Sequence, residues 1–209
     1  MLSESCECDV ISYDPRGIGE STQVLGSGNL DSISMSTLTD DALIVLNHVR
    51  GQGPPVGVLG VSMGAAIAAH AANCQSESIS HLILASSLLN APKREFLNSS
   101  VEEFFRIAFG AEFKNTSRFV KKYSESKQSN MKGILAQRRI LKKHHMPESI
   151  PSEIKLMVLH GSHDSVAPLE NGVELASKYG VDPVVVEGAG HLPWITHSEE
   201  LVSRVSSFY

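Results

Sequence analysis

The chain has 209 residues, of which 42% are hydrophobic and 20% charged, and a formal net charge of −5. This length suits one domain with a real core and argues against two full domains. No apolar run approaches the roughly 20 residues that a helix needs to cross a bilayer, and the N-terminal residues show no secretory leader. The composition therefore predicts a soluble, cytoplasmic protein without a transmembrane segment.

The first half of the chain alternates apolar runs with amphipathic stretches. Val10 and Ile11 belong to an apolar run that predicts a strand ending at Asp14. The next predicted elements are a helix over 37–50, a strand over 56–60, a helix over 64–75 and a strand over 79–87. Near-continuous apolar strands separated by helices indicate a parallel sheet covered on both faces, which is an α/β fold.

Residues 90–151 have a different pattern, in which helical stretches follow one another without a strand. A capping box at Ser100 and Glu103 predicts the start of one helix, and Gly133 is expected to interrupt another. We predict a helical lid insertion over 90–151, with residues 1–89 and 152–209 forming one α/β core. The alternation then resumes with a strand over 154–161, a helix over 168–179, a strand over 183–188 and a helix over 197–207.

Positive charge is concentrated in one part of the predicted insertion. Between Lys114 and Lys143 there are ten basic residues and one acidic residue, Glu125, whereas the rest of the chain has a net charge of −14. Such a surface could favour anionic substrates or peripheral contact with an anionic membrane. The simpler interpretation is that these side chains solvate the outer faces of small helices. Nucleic acid is not an expected partner, because no recognised binding motif accompanies the charge.

Cys6, Cys8 and Cys74 show no spacing typical of a disulfide framework or a zinc site. They predict free thiols in a reducing compartment and no bound metal.

A serine lies at the junction of a predicted strand and a predicted helix. Residues 60–64 read GVSMG, which is the G-x-S-x-G pattern of a nucleophile elbow. Small residues on both sides of the turn would let the backbone pack closely and would expose Ser62. A short Gly/Ser turn without function is the alternative, and the pentapeptide alone does not decide between them.

Two further residues decide in favour of the elbow. A serine nucleophile needs a base and an acid that orients the base. Asp164 follows the strand over 154–161, and His191 follows the strand over 183–188, so both are expected at the same edge of the sheet as Ser62. His163 is a second candidate base, but it belongs to the same loop as the acid. His160 is expected to pack at the end of its strand.

Four motifs together resemble the α/β-hydrolase superfamily, in its group of lid-bearing serine hydrolases. They are DPRGIGES from Asp14, GVSMG, HGSHDSVAP from His160 and GAGHLPW from Gly188. The resemblance implies that Ser62 is the nucleophile, His191 the general base and acid, and Asp164 the orienting carboxylate. It also implies that the backbone N–H of Met63 is one oxyanion donor. Asp14, Arg16, Gly17 and Gly19 match a loop that is mainly structural in the family.

The implied activity is hydrolysis of a carboxylic ester, or a related acyl bond, of a small molecule or lipid, with no metal or organic cofactor. Amides, thioesters and activated carbon–carbon bonds remain open. Serine at the elbow argues against an aspartyl-ester mechanism. Phe104, Phe105, Ile107 and Phe109 are expected either to line the pocket or to fix the insertion to the core.

The chain also departs from the family pattern. Its first predicted strand resembles the fourth strand of the family, so the first three strands are expected to be missing. Residues 9–13 and 56–60 would then pair directly or leave apolar surface exposed. The second oxyanion donor is expected to be absent from the chain, which predicts weak activity or none. A non-catalytic binding or regulatory protein with the same fold is therefore the alternative function.

Overall fold

A computed structural model describes residues 2–21, 33–89, 99–109, 116–125 and 131–209. Its centre is a parallel four-stranded sheet in the order β1-β2-β3-β4. The strands are β1 (Val56–Val61), β2 (Ile79–Ala85), β3 (Lys155–Gly161) and β4 (Pro183–Val186). Parallel neighbours need crossover connections, and each crossover contains the helical segment that the sequence predicts between those two strands. The predicted α/β fold is confirmed.

The helices of the described residues lie between and beyond these strands. They are α1 (Leu2–Cys6), α2 (Met35–Arg50), α3 (Met63–Cys74), α4 (Val101–Phe109), α5 (Thr116–Ser124), α6 (Met131–Leu141), α7 (Leu169–Tyr179), α8 (Pro193–Thr196) and α9 (Ser198–Phe208). Ser100 caps the start of α4 as the sequence predicts, with the Glu103 N–H donating to Ser100 Oγ. Gly180 ends α7 in the left-handed conformation.

The sheet has a buried apolar layer on each face, as the sequence predicts. Leu82 and Leu84 pack with alanines of α3 and with Leu175 of α7. Ile83 points to the opposite face and packs with Val205 of α9. Side chains alternate along a strand, so a continuous apolar run such as residues 82–85 of β2 places apolar groups on both faces.

The predicted strand at Val10 and Ile11 is wrong. Residues 9–15 contain no strand, and the side chains of Val10 and Ile11 are 54% and 59% exposed. A strand requires a hydrogen-bonded neighbour, and here a cleft separates this segment from β1. In the part of the chain that the structure describes, β1 is consequently an edge strand, and Leu59 is 40% exposed. The sequence predicts that residues 9–13 and 56–60 either pair directly or leave apolar surface exposed. The structure shows the second outcome.

Gly133 does not interrupt its helix. It lies inside α6, and a Cβ at this position would come within 2.0 Å of the Gly17 carbonyl oxygen. The glycine therefore lets the helix pack on the backbone of the DPRG loop. That loop is fixed by Arg16, which binds the Asp41 carboxylate of α2 through Nε at 2.8 Å and Nη2 at 2.5 Å. These contacts agree with the structural role expected for this loop.

The predicted insertion over 90–151 is only partly described. Residues 90–98, 110–115 and 126–130 lie outside the described residues, and the remainder contains α4, α5 and α6. Its assignment as a lid stays a prediction. Among the described residues, Cys8 and Cys74 form no disulfide, and the side chain of Cys6 lies outside the described part of the chain.

Candidate active site

Ser62 forms a sharp turn between β1 and α3. Its backbone has φ 53° and ψ −118°, a conformation that few non-glycine residues adopt. The Ser62 N–H donates to the Ala85 carbonyl at 2.9 Å, so pairing with β2 continues into the turn. The strained residue is therefore held by the sheet on one side and by the helix on the other.

The two glycines of the elbow differ in their roles. A Cβ on Gly60 would lie 2.3 Å from the Gly64 carbonyl oxygen, so no larger residue fits there without a backbone shift. A Cβ on Gly64 would meet nothing within 4 Å. The prediction that both positions need a small residue for close packing is right for Gly60 and wrong for Gly64.

The structure brings the three residues singled out in the sequence into one hydrogen-bonded chain. His191 Nε2 lies 2.9 Å from Ser62 Oγ, and His191 Nδ1 lies 2.8 Å from Asp164 Oδ2. The carboxylate accepts only, so Nδ1 donates to it, and Nε2 is then the acceptor for the serine hydroxyl proton. His191 and Asp164 are buried, with 1% and 5% exposure. His163, the alternative base, is exposed.

The Asp164 carboxylate is held by more groups than the sequence predicts. Its Oδ1 accepts hydrogen bonds from the N–H groups of Val166 and Ala167 at 2.9 and 2.8 Å. His160, buried at the end of β3 as expected, donates from Nε2 to the Ala167 carbonyl at 2.7 Å. The same nitrogen lies 3.4 Å from Asp164 Oδ2. The loop N–H groups therefore hold Oδ1, whereas Oδ2 faces both His191 and His160.

These contacts determine the protonation state of Asp164. Burial acts to raise its pKa, but hydrogen bonds from His160 and His191, the charge of His191 and the Ala167 N–H together lower the pKa from 3.8 to about 2. Asp164 is thus a carboxylate at neutral pH, and it can balance a positive charge that forms on His191.

Helix α4 packs directly against the loop that carries His191. The His191 N–H donates to the Ala108 carbonyl at 2.8 Å. A Cβ on Gly190 would lie 2.6 Å from that same carbonyl oxygen. The loop and the helix can meet this closely only because residue 190 is glycine.

A cleft of about 1100 Å³ extends from Ser62 and Met63 along the exposed edge of β1. Met63 is the first residue of α3, so its N–H is among the donors that the helix leaves unpaired at its start. Of the aromatic residues considered in the sequence, Phe104 and Phe105 line the cleft. Phe109 is buried and stacks on Phe105, with ring centroids 5.6 Å apart. Phe109 also belongs to a buried cluster with Val166 and Leu192, which lie in the loops that carry Asp164 and His191. These contacts agree with a pocket wall at Phe104 and Phe105 and with packing against the core at Phe109.

Comparison with known proteins decides the family. Residues 2–204 match the model of the "Alpha/beta hydrolase family", which is nearly the whole chain. The chain belongs to the alpha/beta hydrolase family. This confirms the resemblance inferred from the four motifs. A search of curated proteins finds no match.

Several solved structures share the fold of the chain. An esterase from Exiguobacterium antarcticum has a TM-score of 0.76 at 18% identity, with 99% of this chain and 86% of that chain covered. A bromoperoxidase from Bacillus anthracis has a TM-score of 0.77 at 19% identity, with coverage of 99% and 83%. An enol-lactonase from Burkholderia xenovorans LB400 has a TM-score of 0.68 at 16% identity, with coverage of 84% and 73%.

Other features of this alpha/beta hydrolase are not evident from its sequence. The contacts made by the N–H groups of Val166 and Ala167, by His160 Nε2 and by Gly190 with Ala108 are not among the roles that the motifs HGSHDSVAP and GAGHLPW imply, although these residues except Ala108 lie within them. The only signal is the small pair Ala189-Gly190 directly before His191, which suggests a close backbone approach. None of the described helices is long and apolar enough to span a membrane.

Proposed function

We propose that this alpha/beta hydrolase is a serine hydrolase that cleaves carboxylic esters through an acyl-enzyme. The observation that carries the proposal is the hydrogen-bonded chain from Ser62 Oγ through His191 to Asp164. A hydroxyl is a weak nucleophile by itself, and a neutral imidazole that can accept its proton activates it. The buried carboxylate on the other ring nitrogen fixes the tautomer that this transfer requires.

The proposed reaction has two steps. Ser62 Oγ attacks the ester carbonyl carbon while its proton passes to His191 Nε2, and that proton then goes to the departing alcohol as the carbon–oxygen bond breaks. In the second step water attacks the acyl-enzyme, gives a proton to His191 and releases the carboxylic acid as Ser62 recovers its hydrogen. Asp164 remains a carboxylate in both steps and stabilises the imidazolium.

The oxyanion of the tetrahedral intermediate needs hydrogen-bond donors near the elbow. The Met63 N–H lies at the start of α3, where the helix dipole also favours negative charge. Removing one oxyanion donor lowers turnover by about 100-fold to 1000-fold in serine hydrolases. If Met63 acts alone, we therefore expect slow turnover that still depends on Ser62.

The cleft supports a small-molecule or lipid ester as the substrate. Phe104, Phe105 and Met63 contribute apolar wall beside the reactive hydroxyl, and ligand sites of enzymes are typically apolar with a few placed polar groups. The esterases among the structural neighbours agree with this choice. The bond cleaved and the identity of the acyl group are part of the proposal.

The test is hydrolysis of p-nitrophenyl esters by the wild type and by two pairs of variants. Ser62→Ala and His191→Ala should each lower kcat by about 1000-fold or more if the residues act as proposed. The matched controls are Ser203→Ala, an exposed serine of α9, and His163→Ala, the exposed histidine. The controls should retain wild-type turnover.

The alternative of a non-catalytic binding protein makes the opposite prediction. A folded chain that binds ester analogues, but whose residual hydrolysis is the same in the wild type and in Ser62→Ala, would contradict the proposed function. Circular dichroism of each variant separates loss of chemistry from loss of folding.

A further inference from the structure

His160 is a buried histidine to which the proposed reaction gives no role. Its side chain lies at the end of β3 and is 0% exposed. Burial of a polar ring is unfavourable unless its nitrogens find partners. An apolar side chain would serve equally well if the position required only packing. The contacts of the two ring nitrogens therefore show what the imidazole contributes.

These contacts determine which nitrogen of His160 carries the proton. Nε2 lies 2.7 Å from the Ala167 carbonyl oxygen, which only accepts, so Nε2 is the donor. Nδ1 is buried and has no hydrogen-bond partner among the described residues. A Cβ at position 172, on the facing helix α7, would come within 2.6 Å of Nδ1, so the ring packs directly on Gly172. A proton on Nδ1 would be a buried donor without an acceptor, which favours the neutral ring.

The donating nitrogen of His160 also faces the carboxylate that orients His191. Nε2 lies 3.4 Å from Asp164 Oδ2, and the same Oδ2 lies 2.8 Å from His191 Nδ1. Burial raises the pKa of Asp164, whereas hydrogen bonding by His160 and then by His191 lowers it. Two imidazole N–H groups therefore converge on one carboxylate oxygen.

The elements packed around this pair of imidazoles present uncharged groups to them. Helix α7 presents Gly172 to the ring at the end of β3, and α4 presents the Ala108 carbonyl to the backbone of the loop after β4. The other titratable side chains of the two loops, His163 and Glu187, are exposed. Within the described part of the chain, the two imidazoles are the titratable groups that act on Asp164.

We propose that His160 is a positioning residue for the reaction: it holds the Asp164 loop and limits how strongly Oδ2 favours a proton on His191. The carboxylate must stabilise the imidazolium that forms during the reaction, but without another donor it would also keep His191 protonated in the resting enzyme. A neutral N–H balances part of its charge and adds no net charge. The bond to the Ala167 carbonyl ties the loop to the end of β3, so that Oδ2 keeps its direction. The proposal rests on the proposed function because it concerns the same base.

The experiment measures how kcat/KM for a p-nitrophenyl ester depends on pH in the wild type and in variants of His160. His160→Leu and His160→Met replace the ring with apolar side chains of similar volume and different shape, and the one whose circular dichroism matches the wild type is used. His160→Gln keeps an N–H near the position of Nε2. Leucine or methionine should move the acidic limb of the profile up by about half a pH unit or more, because a carboxylate with one donor fewer holds the imidazolium to higher pH.

The same apolar variant should lower kcat about tenfold at the pH optimum while KM changes little, because the defect lies in the orientation of the base. His160→Gln should restore the position of the acidic limb. The matched control is Leu82→Val, which removes apolar volume from a buried position in the middle of β2. It should lower stability and leave the limb in place.

An acidic limb at the same pH in the wild type and in the apolar variant would overturn the inference, because a purely structural role lowers stability or kcat without moving the limb. Equal displacement in Leu82→Val would overturn it as well, since the effect would then follow any loss of packing. Equal displacement in His160→Gln would show that the N–H is not the group responsible.

A second measurement needs no turnover. Isotopic labelling of the histidine rings lets NMR follow the ring of His191 in Ser62→Ala, where the signal is assigned by its absence in His191→Ala. Adding the apolar substitution at His160 should move the midpoint of this titration to higher pH. Identical titration curves would overturn the inference even in a chain that hydrolyses nothing. Hydrolysis that depends on Ser62 and His191 but not on His160 would overturn only the inference and leave the proposed function standing.

Discussion

The low pKa of Asp164 predicts how the stability of the fold depends on acid. The pKa of this carboxyl is about 2 in the folded chain and 3.8 without the protein environment. A group with a depressed folded pKa contributes stability above its unfolded pKa and loses it as the pH falls through the folded value. The contribution of Asp164 is therefore complete at pH 5 and is lost between about pH 4 and pH 2.

The size of this contribution follows from the shift. A difference of one pKa unit corresponds to about 1.4 kcal/mol, so Asp164 accounts for about 2 kcal/mol of the free energy of unfolding at pH 5. Asp164→Asn removes the titrating group, while the amide oxygen can still accept from the Val166 and Ala167 N–H groups. The variant is expected to be less stable at pH 5 but also less sensitive to acid.

Urea unfolding followed by the fluorescence of Trp194 measures this difference. The free energy of unfolding is determined for both proteins at pH 5, 4, 3 and 2, where the wild type should lose about 2 kcal/mol more than the variant. All other carboxyl groups are common to both proteins, so their effects cancel in the comparison. Equal losses in the two proteins would refute the assignment of the acid sensitivity to Asp164.

Two glycine substitutions test the packing of the candidate site. Gly60→Ala should lower the free energy of unfolding in urea by more than about 2 kcal/mol, because its Cβ would overlap the Gly64 carbonyl. Gly64→Ala should be tolerated, because its Cβ would meet no neighbouring atom. A similar loss of stability in both variants would contradict the conclusion that only Gly60 is needed for close packing. Gly190→Ala should push α4 away from the His191 loop and lower kcat more than tenfold without a matching change in KM. Turnover by Gly190→Ala equal to that of the wild type would show that this contact does not position His191.

Much of the fold could be predicted because its signals are local. Residues 82–85 of β2 form a continuous apolar run and α7 ends at a glycine, so both elements could be assigned from their own residues. The positions of Ser62, Asp164 and His191 at one edge of the sheet followed from the rule that parallel strands end on the same side. Their hydrogen bonds are in the structure, and their chemical roles remain a proposal.

The errors concern features that depend on a distant part of the chain. Val10 and Ile11 have the composition of a strand, but a strand forms only where a partner lies beside it. Gly133 weakens helix propensity, yet its helix is continuous because it packs on Gly17. The basic residues of 114–143 are alike in the sequence, whereas in the structure Arg138 is partly buried and lines the cleft and its neighbour Arg139 is exposed.

The central claim is that His191 activates Ser62 as a nucleophile, and covalent labelling tests it most directly. A fluorophosphonate reacts with an activated serine by losing fluoride and forming a phosphonate ester on Oγ. Mass spectrometry of the intact chain and of its peptides should find one adduct, on Ser62, that is absent in His191→Ala and present in His163→Ala. A folded wild-type chain that stays unlabelled, or that is labelled at Ser62 equally well without His191, would contradict the account.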